Sequence, residues 1–214
     1  MTLTVTDLAA NMGDVFVLDY PLWNVGRARD ILAEHPGWVQ YNPRKPHIKR
    51  KGLSITSLDG GFSGIPDLDS IREYNRENGT TWQEHDFNKP TSITRLIPEA
   101  LDVLQSFPVG TIGRCHFLRL DAGGFFPPHR DNGLALPTGS FRILVPLVDF
   151  DGDGQHVWLQ EGKPVSLRAG YTYFINTTKV HSLFSFADRC EMVVINVIAE
   201  ESAIRYCATR SKVA

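Results

Sequence analysis

Three side chains in the C-terminal half could hold a metal together: His129 and Asp131, separated by one arginine, and His181 about fifty residues further on. Two imidazoles and one carboxylate on one face of a divalent ion form the facial triad of non-haem Fe(II) chemistry. Three protein ligands leave adjacent positions open for a bidentate oxoacid and for O2. The close pair has a geometric reason, because residues i and i+2 of an extended segment point the same way, so His129 and Asp131 converge while Arg130 points elsewhere. The second histidine must then arrive from a later strand folded back over the first. With 7 histidines in 214 residues, a His-x-Asp pair alone means little, and its simplest reading is a surface turn in a Pro-rich loop. Context shifts the balance. Phe126-Pro-Pro-His129 follows the turn Asp121-Ala-Gly-Gly124, which puts the pair at the mouth of a β-structure, and His181 opens the strand-like HSLFSF after a hairpin begun at Gly170. Arg189 follows eight residues later beside a Val/Ile-rich segment. A guanidinium buried there requires an anion, which a dicarboxylate cosubstrate would supply to its planar fork.

The elements that must position these residues change character near residue 110. Before it the pattern is mixed. Phe16–Tyr20, Trp38–Tyr41 and Leu53–Leu58 alternate like short strands. Asn24 is placed to cap a helix running to about Glu34, and Ser70-x-x-Glu73 reads as a capping box for a short helix that Gly79 ends. Pro98 suits the first turn of a helix to Ser106. After 110 the helical signal disappears. Short strands follow at Ile112–Leu120, Phe141–Phe150, His156–Gln160, Val165–Leu167, Tyr171–Ile175, His181–Phe186 and Glu191–Ile198. Asp151-Gly-Asp-Gly154 and Ala169-Gly170 read as the turns between them. The expectation is one domain over 1–214, mainly β: an α+β N-terminal layer (1–109) supporting a jelly-roll, cupin-like catalytic core (110–205).

Bulk properties narrow the function class. A formal net charge of -2 gives no field for steering towards nucleic acid or anionic lipid, so neither is an expected partner. No apolar run approaches the roughly 20 residues that cross a bilayer. The first residues show no secretory pattern. Cys115, Cys190 and Cys207 are scattered and odd in number, which argues for buried, inert thiols in a reducing cytoplasm rather than a disulfide framework.

The stretches FLRLDAGGFFPPHRDN and FRILVPLVDF, with the segment from Gly170 to Arg189, resemble the aspartyl/asparaginyl β-hydroxylase-like branch of the Fe(II)/2-oxoglutarate oxygenases, which includes bacterial cis-hydroxylases of free proline. The likeness covers roughly 110–198. It implies a double-stranded β-helix with Fe(II) held by His129, Asp131 and His181. It also implies 2-oxoglutarate bound through its distal carboxylate by Arg189, with Arg142 facing the pocket near the cosubstrate's other end or the substrate. The implied reaction consumes O2 and 2-oxoglutarate, releases succinate and CO2, and hydroxylates an unactivated C–H of an amino acid, free or peptidyl. In related halogenases a small residue stands where Asp131 stands here, so the resemblance favours hydroxylation or desaturation over halogenation.

Two rival classes stay open: a cupin-like metalloenzyme that uses no oxoacid, and a non-catalytic jelly-roll binding protein. Other residues have plainer readings. His116 and Arg119 lie on opposite faces of their strand, and His116 reads as a satisfied core histidine. Trp158 reads as sandwich core, and Trp23, Trp38 and Trp82 as packing between the N-terminal layer and the sheet. Within the basic run 44–51, Arg50 or Lys51 could reach over the mouth to a substrate carboxylate. Cations around a small site suit a carboxylate-bearing amino acid or a chain-terminal residue as substrate.

Overall fold

The computed structural model describes residues 2–62, 64, 67–131, 139–150 and 154–212. In chain order the elements are α1 (Val5–Met12), β1 (Val15–Val17), α2 (Val25–Ala33), β2 (Val39–Gln40), β3 (Arg50–Ser54), β4 (Thr56–Ser57), α3 (Ile71–Asn78), a 3-10 turn (Glu84–Asp86), β5 (Lys89–Pro90), α4 (Ile93–Leu96) and α5 (Pro98–Ser106). Then come β6 (Ile112–Leu120), β7 (Phe125–His129), β8 (Ser140–Pro146), β9 (His156–Gln160), β10 (Lys163–Pro164), β11 (Tyr173–Ile175), β12 (His181–Ser185), β13 (Cys190–Ile198) and α6 (Glu201–Thr209).

From β6 to β13 the chain passes back and forth between two antiparallel sheets, with β9 and β10 a hairpin within the smaller one. The larger has the order β1-β11-β8-β13-β6-β3-β2 and the smaller β10-β9-β12-β7. Eight strands shuttling in this way between facing sheets form the double-stranded β-helix, or jelly roll. Three strands from before residue 110 extend the larger sheet, so the N-terminal part is more than a buttressing layer. Both faces of the larger sheet are covered, which explains the nearly unbroken apolar run of β13. Val193, Ile195 and Val197 join Phe117, Ile143, Val145 and Phe174 against helical residues such as Leu32, Val103 and Ile204. Met192 and Val194 face the other way, with Leu118, Leu120, Leu144 and Tyr173, towards Trp158 and Leu183 of the smaller sheet.

Local signals set several boundaries. Asn24 Oδ1 accepts from Arg27 N at the start of α2, and Gly79, at φ 64°, closes α3 after Ser70 caps it. The Thr4–Asp7 capping box that starts α1 was available in the sequence. The expectation of no helix after residue 110 is corrected by α6, whose N-cap Glu200 makes no side-chain cap bond. Its apolar residues Ala203, Ile204 and Cys207 are buried on the helix-bearing face of the larger sheet, so tertiary packing rather than a capping signal defines it. Of the expected turns, Asp151–Asp153 lie outside the described residues. All three cysteines are buried and unpaired. Among the described residues no helix is long and apolar enough to cross a membrane.

Candidate metal centre

The turn from β6 into β7 is built so that the first pair of ligands lands beside the third. A Cβ on Gly124 would sit 2.6 Å from the carbonyl oxygen of Lys49, so only glycine allows this approach. Gly123 N donates to Ser185 O and Ser185 N to Gly124 O, fastening the turn to the end of β12. From there β7 runs antiparallel to β12 with His129 directly opposite His181. Asp131, just past the strand end, is held by its N–H to Thr177 O at 2.9 Å. The outcome is the convergence expected from spacing. One potential ligand atom from each of His129, Asp131 and His181 lies within 4.8 Å of the others, and no other such group occurs among the described residues.

The donor chemistry fits a metal. His129 Nδ1 lies 2.7 Å from Pro127 O, and His181 Nδ1 lies 3.1 Å from Lys179 O. A carbonyl oxygen can only accept, so each Nδ1 carries the proton and each Nε2 is left with its lone pair for an ion. Burial lowers the His181 pKa to about 4, which keeps the ring neutral and ligand-competent. Burial also opposes the charge on Asp131, but the Arg142 guanidinium outweighs it by charge and hydrogen bond, so the carboxyl pKa falls to about 2. Asp131 Oδ1 lies 3.6 Å from His129 Nε2, while Oδ2 accepts from Arg142 Nε. One oxygen is therefore presented to the site and the other is anchored behind it.

These residues form one wall of a half-open cleft of about 500 Å³, its mouth included. Trp158 stacks on His181 at 5.6 Å with an interplanar angle of 8°. Leu118, Leu144, Leu183, Met192 and Val194 make the rest largely apolar, with Tyr41, His116 and Phe126 closing the side opposite Trp158's strand.

The two arginines expected at a cosubstrate fall differently. Arg142 lines the cleft, as expected, but its Nε is committed to Asp131 and its Nη1 to Asn196 Oδ1. Arg189 does not reach the cleft. Its Nε donates to Glu191 Oε1 at 3.3 Å and its Nη2 to Arg29 O at 2.8 Å. Alternation along β13 turns Glu191 towards the helices, since Met192 and Val194 face the cleft, and Arg189, just before the strand at φ 58°, folds back onto that carboxylate. Glu191 is fully buried there and is also paired with Arg29 at 3.2 Å and Arg119 at 2.6 Å. Arg189 is only half-buried, and the anion it pairs with is part of the chain itself.

Three residues of the cleft escaped the sequence reading. Tyr41 and Phe126 carry no chemical signal, and strand parity alone cannot show which face of β6 looks onto the metal. His116 looks onto it; it is buried, and its Nδ1 has no hydrogen-bond partner among the described residues, in contrast to the satisfied core histidine expected. Trp158 is buried as expected, whereas Trp82 is 40% exposed and does not pack as expected.

No family model matches the chain, and no curated protein matches it. Solved structures to which it is similar include a predicted oxalate decarboxylase from Thermotoga maritima, at 20% identity and TM-score 0.31 over 42% of this chain and 68% of that one. KdgF from Halomonas sp. is similar at 13% identity and TM-score 0.31, over 42% and 71%. A salicylate 1,2-dioxygenase variant from Pseudoaminobacter salicylatoxidans, in complex with gentisate, is similar at 16% identity and TM-score 0.30, over 46% of this chain and 22% of that one.

Proposed function

We propose that the chain is a jelly-roll metalloenzyme of the cupin-like kind: an iron-dependent oxygenase acting on a small molecule in the cleft. One observation carries the reading: His129, Asp131 and His181 present two imidazole nitrogens and one carboxylate oxygen within 4.8 Å of one another on a cleft wall. When bound, Fe(II) would supply O2 activation and open coordination positions. The chain's own residues do the rest. The backbone carbonyls of Pro127 and Lys179 fix the imidazole tautomers, Arg142 keeps Asp131 ionised and aimed, and the aliphatic wall excludes water from the reacting groups.

A narrower form of this reading adds 2-oxoglutarate as cosubstrate and an amino acid, free or peptidyl, as the hydroxylated substrate. It is supported by the resemblance over 110–198. Since Glu191 occupies Arg189, this form needs another cation for the distal carboxylate. The test is O2 consumption by the Fe(II)-loaded protein over a panel of amino acids and short peptides, with and without 2-oxoglutarate, together with succinate release. Uptake that depends on 2-oxoglutarate and yields succinate supports the narrow form. Uptake indifferent to it leaves the broader one. In either case His181→Ala should abolish both turnover and Mn(II) binding while retaining the fold by circular dichroism; an active His181→Ala enzyme refutes the site.

A further inference from the structure

Among the described residues, one guanidinium is buried without an anion. Arg50, on β3, is 4% exposed, yet its Nε has no hydrogen-bond partner and its side chain makes no ion pair among the described residues. Its neighbour Lys51 turns outwards and pairs with Asp121 at 3.4 Å. Arg50 is opposite Leu120 in the register of β3 with β6. It therefore shares the face of Leu118 and His116, which is the face that lines the cleft.

What surrounds Arg50 satisfies only part of it. The guanidinium carbon sits 4.0 Å from the Phe126 ring centroid and 5.4 Å from that of Tyr41. These rings pack edge-to-face at 5.6 Å, and both line the cleft. Aromatic faces stabilise the charge through the plane of a guanidinium, but they leave the N–H edge unmet, and that edge is where a carboxylate binds. Burying a charge without a partner is costly, and the chain provides partners for its other deeply buried arginine, Arg119. The seat borders the cleft that holds the triad: Arg50 is not itself on the lining, but the Phe126 ring it covers is, and that ring lies 6.0 Å from the His129 ring.

We infer that Arg50, framed by Tyr41 and Phe126, is the cleft's carboxylate anchor, binding one end of a small carboxylic acid whose other end reaches the metal. This rests on the metalloenzyme reading for the ligand's far end, but not for the anchor itself. The carboxylate could belong to a dicarboxylate cosubstrate or to the substrate, and the two sources are separable.

The experiment is calorimetric titration of Mn(II)-loaded wild type, Arg50→Met and Arg50→Lys with succinate and 2-oxoglutarate. A second arm uses free amino acids and their amides. Arg50→Met keeps an apolar side chain against Phe126 and removes an unpaired buried charge, so it should fold at least as stably as wild type. Should it not fold, Arg50→Lys, which keeps the charge without the planar fork, carries the test with a smaller expected loss. A cosubstrate anchor predicts at least about a tenfold loss of dicarboxylate affinity in Arg50→Met, with Mn(II) affinity unchanged. A substrate anchor predicts unchanged dicarboxylate affinity and loss of the preference for free amino acid over amide. Equal affinities in wild type and Arg50→Met for every carboxylate would overturn the inference. If wild type fails to bind Mn(II), the metalloenzyme reading falls, and succinate titration of the metal-free protein still decides the role of Arg50.

Discussion

Arg142 touches the centre through Asp131, which makes it a positioning residue. Its guanidinium is shared between Asp131 and Asn196, and Asn196 Nδ2 in turn donates to Glu84, itself paired with Arg114 at 2.8 Å. Replacing it by methionine should let the Asp131 pKa climb from about 2 towards the ordinary carboxylate range and free the carboxylate to rotate. The expected result is a Mn(II) affinity about 10–100-fold weaker, with its pH dependence moved upwards; a merely structural arginine would lower stability without moving that profile. The buried histidines give a second expectation, for the metal-free protein. His181, lowered to about 4, and His116, lowered well below its usual value, stay neutral in the fold but take up protons when the chain unfolds. Between the unfolded value of about 6.5 and the folded value the unfolded chain binds more protons, so stability is lost as pH falls through that window. Urea midpoints that stay level from pH about 6.5 down to about 4 would contradict this.

At the scale of elements, the contact between β13 and α2 depends on one buried acid. Glu191 is shared by Arg29, Arg119 and Arg189, so Glu191→Gln leaves three cations around a neutral amide and should cost about 3–5 kcal/mol, measured by chemical denaturation. Arg189→Ala removes one partly exposed partner of three, so a loss of about 1 kcal/mol or less is expected, with any 2-oxoglutarate requirement unchanged. A strongly raised requirement would put Arg189 back in the cleft. The same strand shows where reading from sequence stops. Strands β6 and β9, the helix beginning at Pro98 and the Asn24 cap are legible because each carries its own signal: bounding turns, a first-turn proline, a side-chain acceptor before an apolar periodicity. The metal ligands were legible because i, i+2 spacing in extended chain fixes a common direction. In Glu191–Ile198 nearly every residue is apolar because both faces are covered, so no alternation says which side faces the helices. The resemblance points Arg189 at the cleft, and no local pattern reveals that a backbone turn at φ 58° just before the strand hands it to Glu191 instead. Arg50, His116, Tyr41 and Phe126 meet only through long-range strand pairing, which no local pattern encodes.

At the scale of the whole molecule, the centre belongs to both sheets. His129 and His181 sit on neighbouring strands of the smaller sheet, while Asp131 is tied through Arg142 to β8 and, through Asn196, to β13 of the larger. An ion held by all three acts as a rivet between two layers that otherwise meet here across a cleft. Its mechanical effect should be local and directional. In amide hydrogen exchange, Mn(II) should slow the amides of β7 and β12 relative to the chelator-treated protein, and leave α1 and α6, on the helix-bearing face of the larger sheet, unaltered. Uniform slowing would instead report a global gain in stability, and no change at all would mean that the two layers do not need the ion to stay in register.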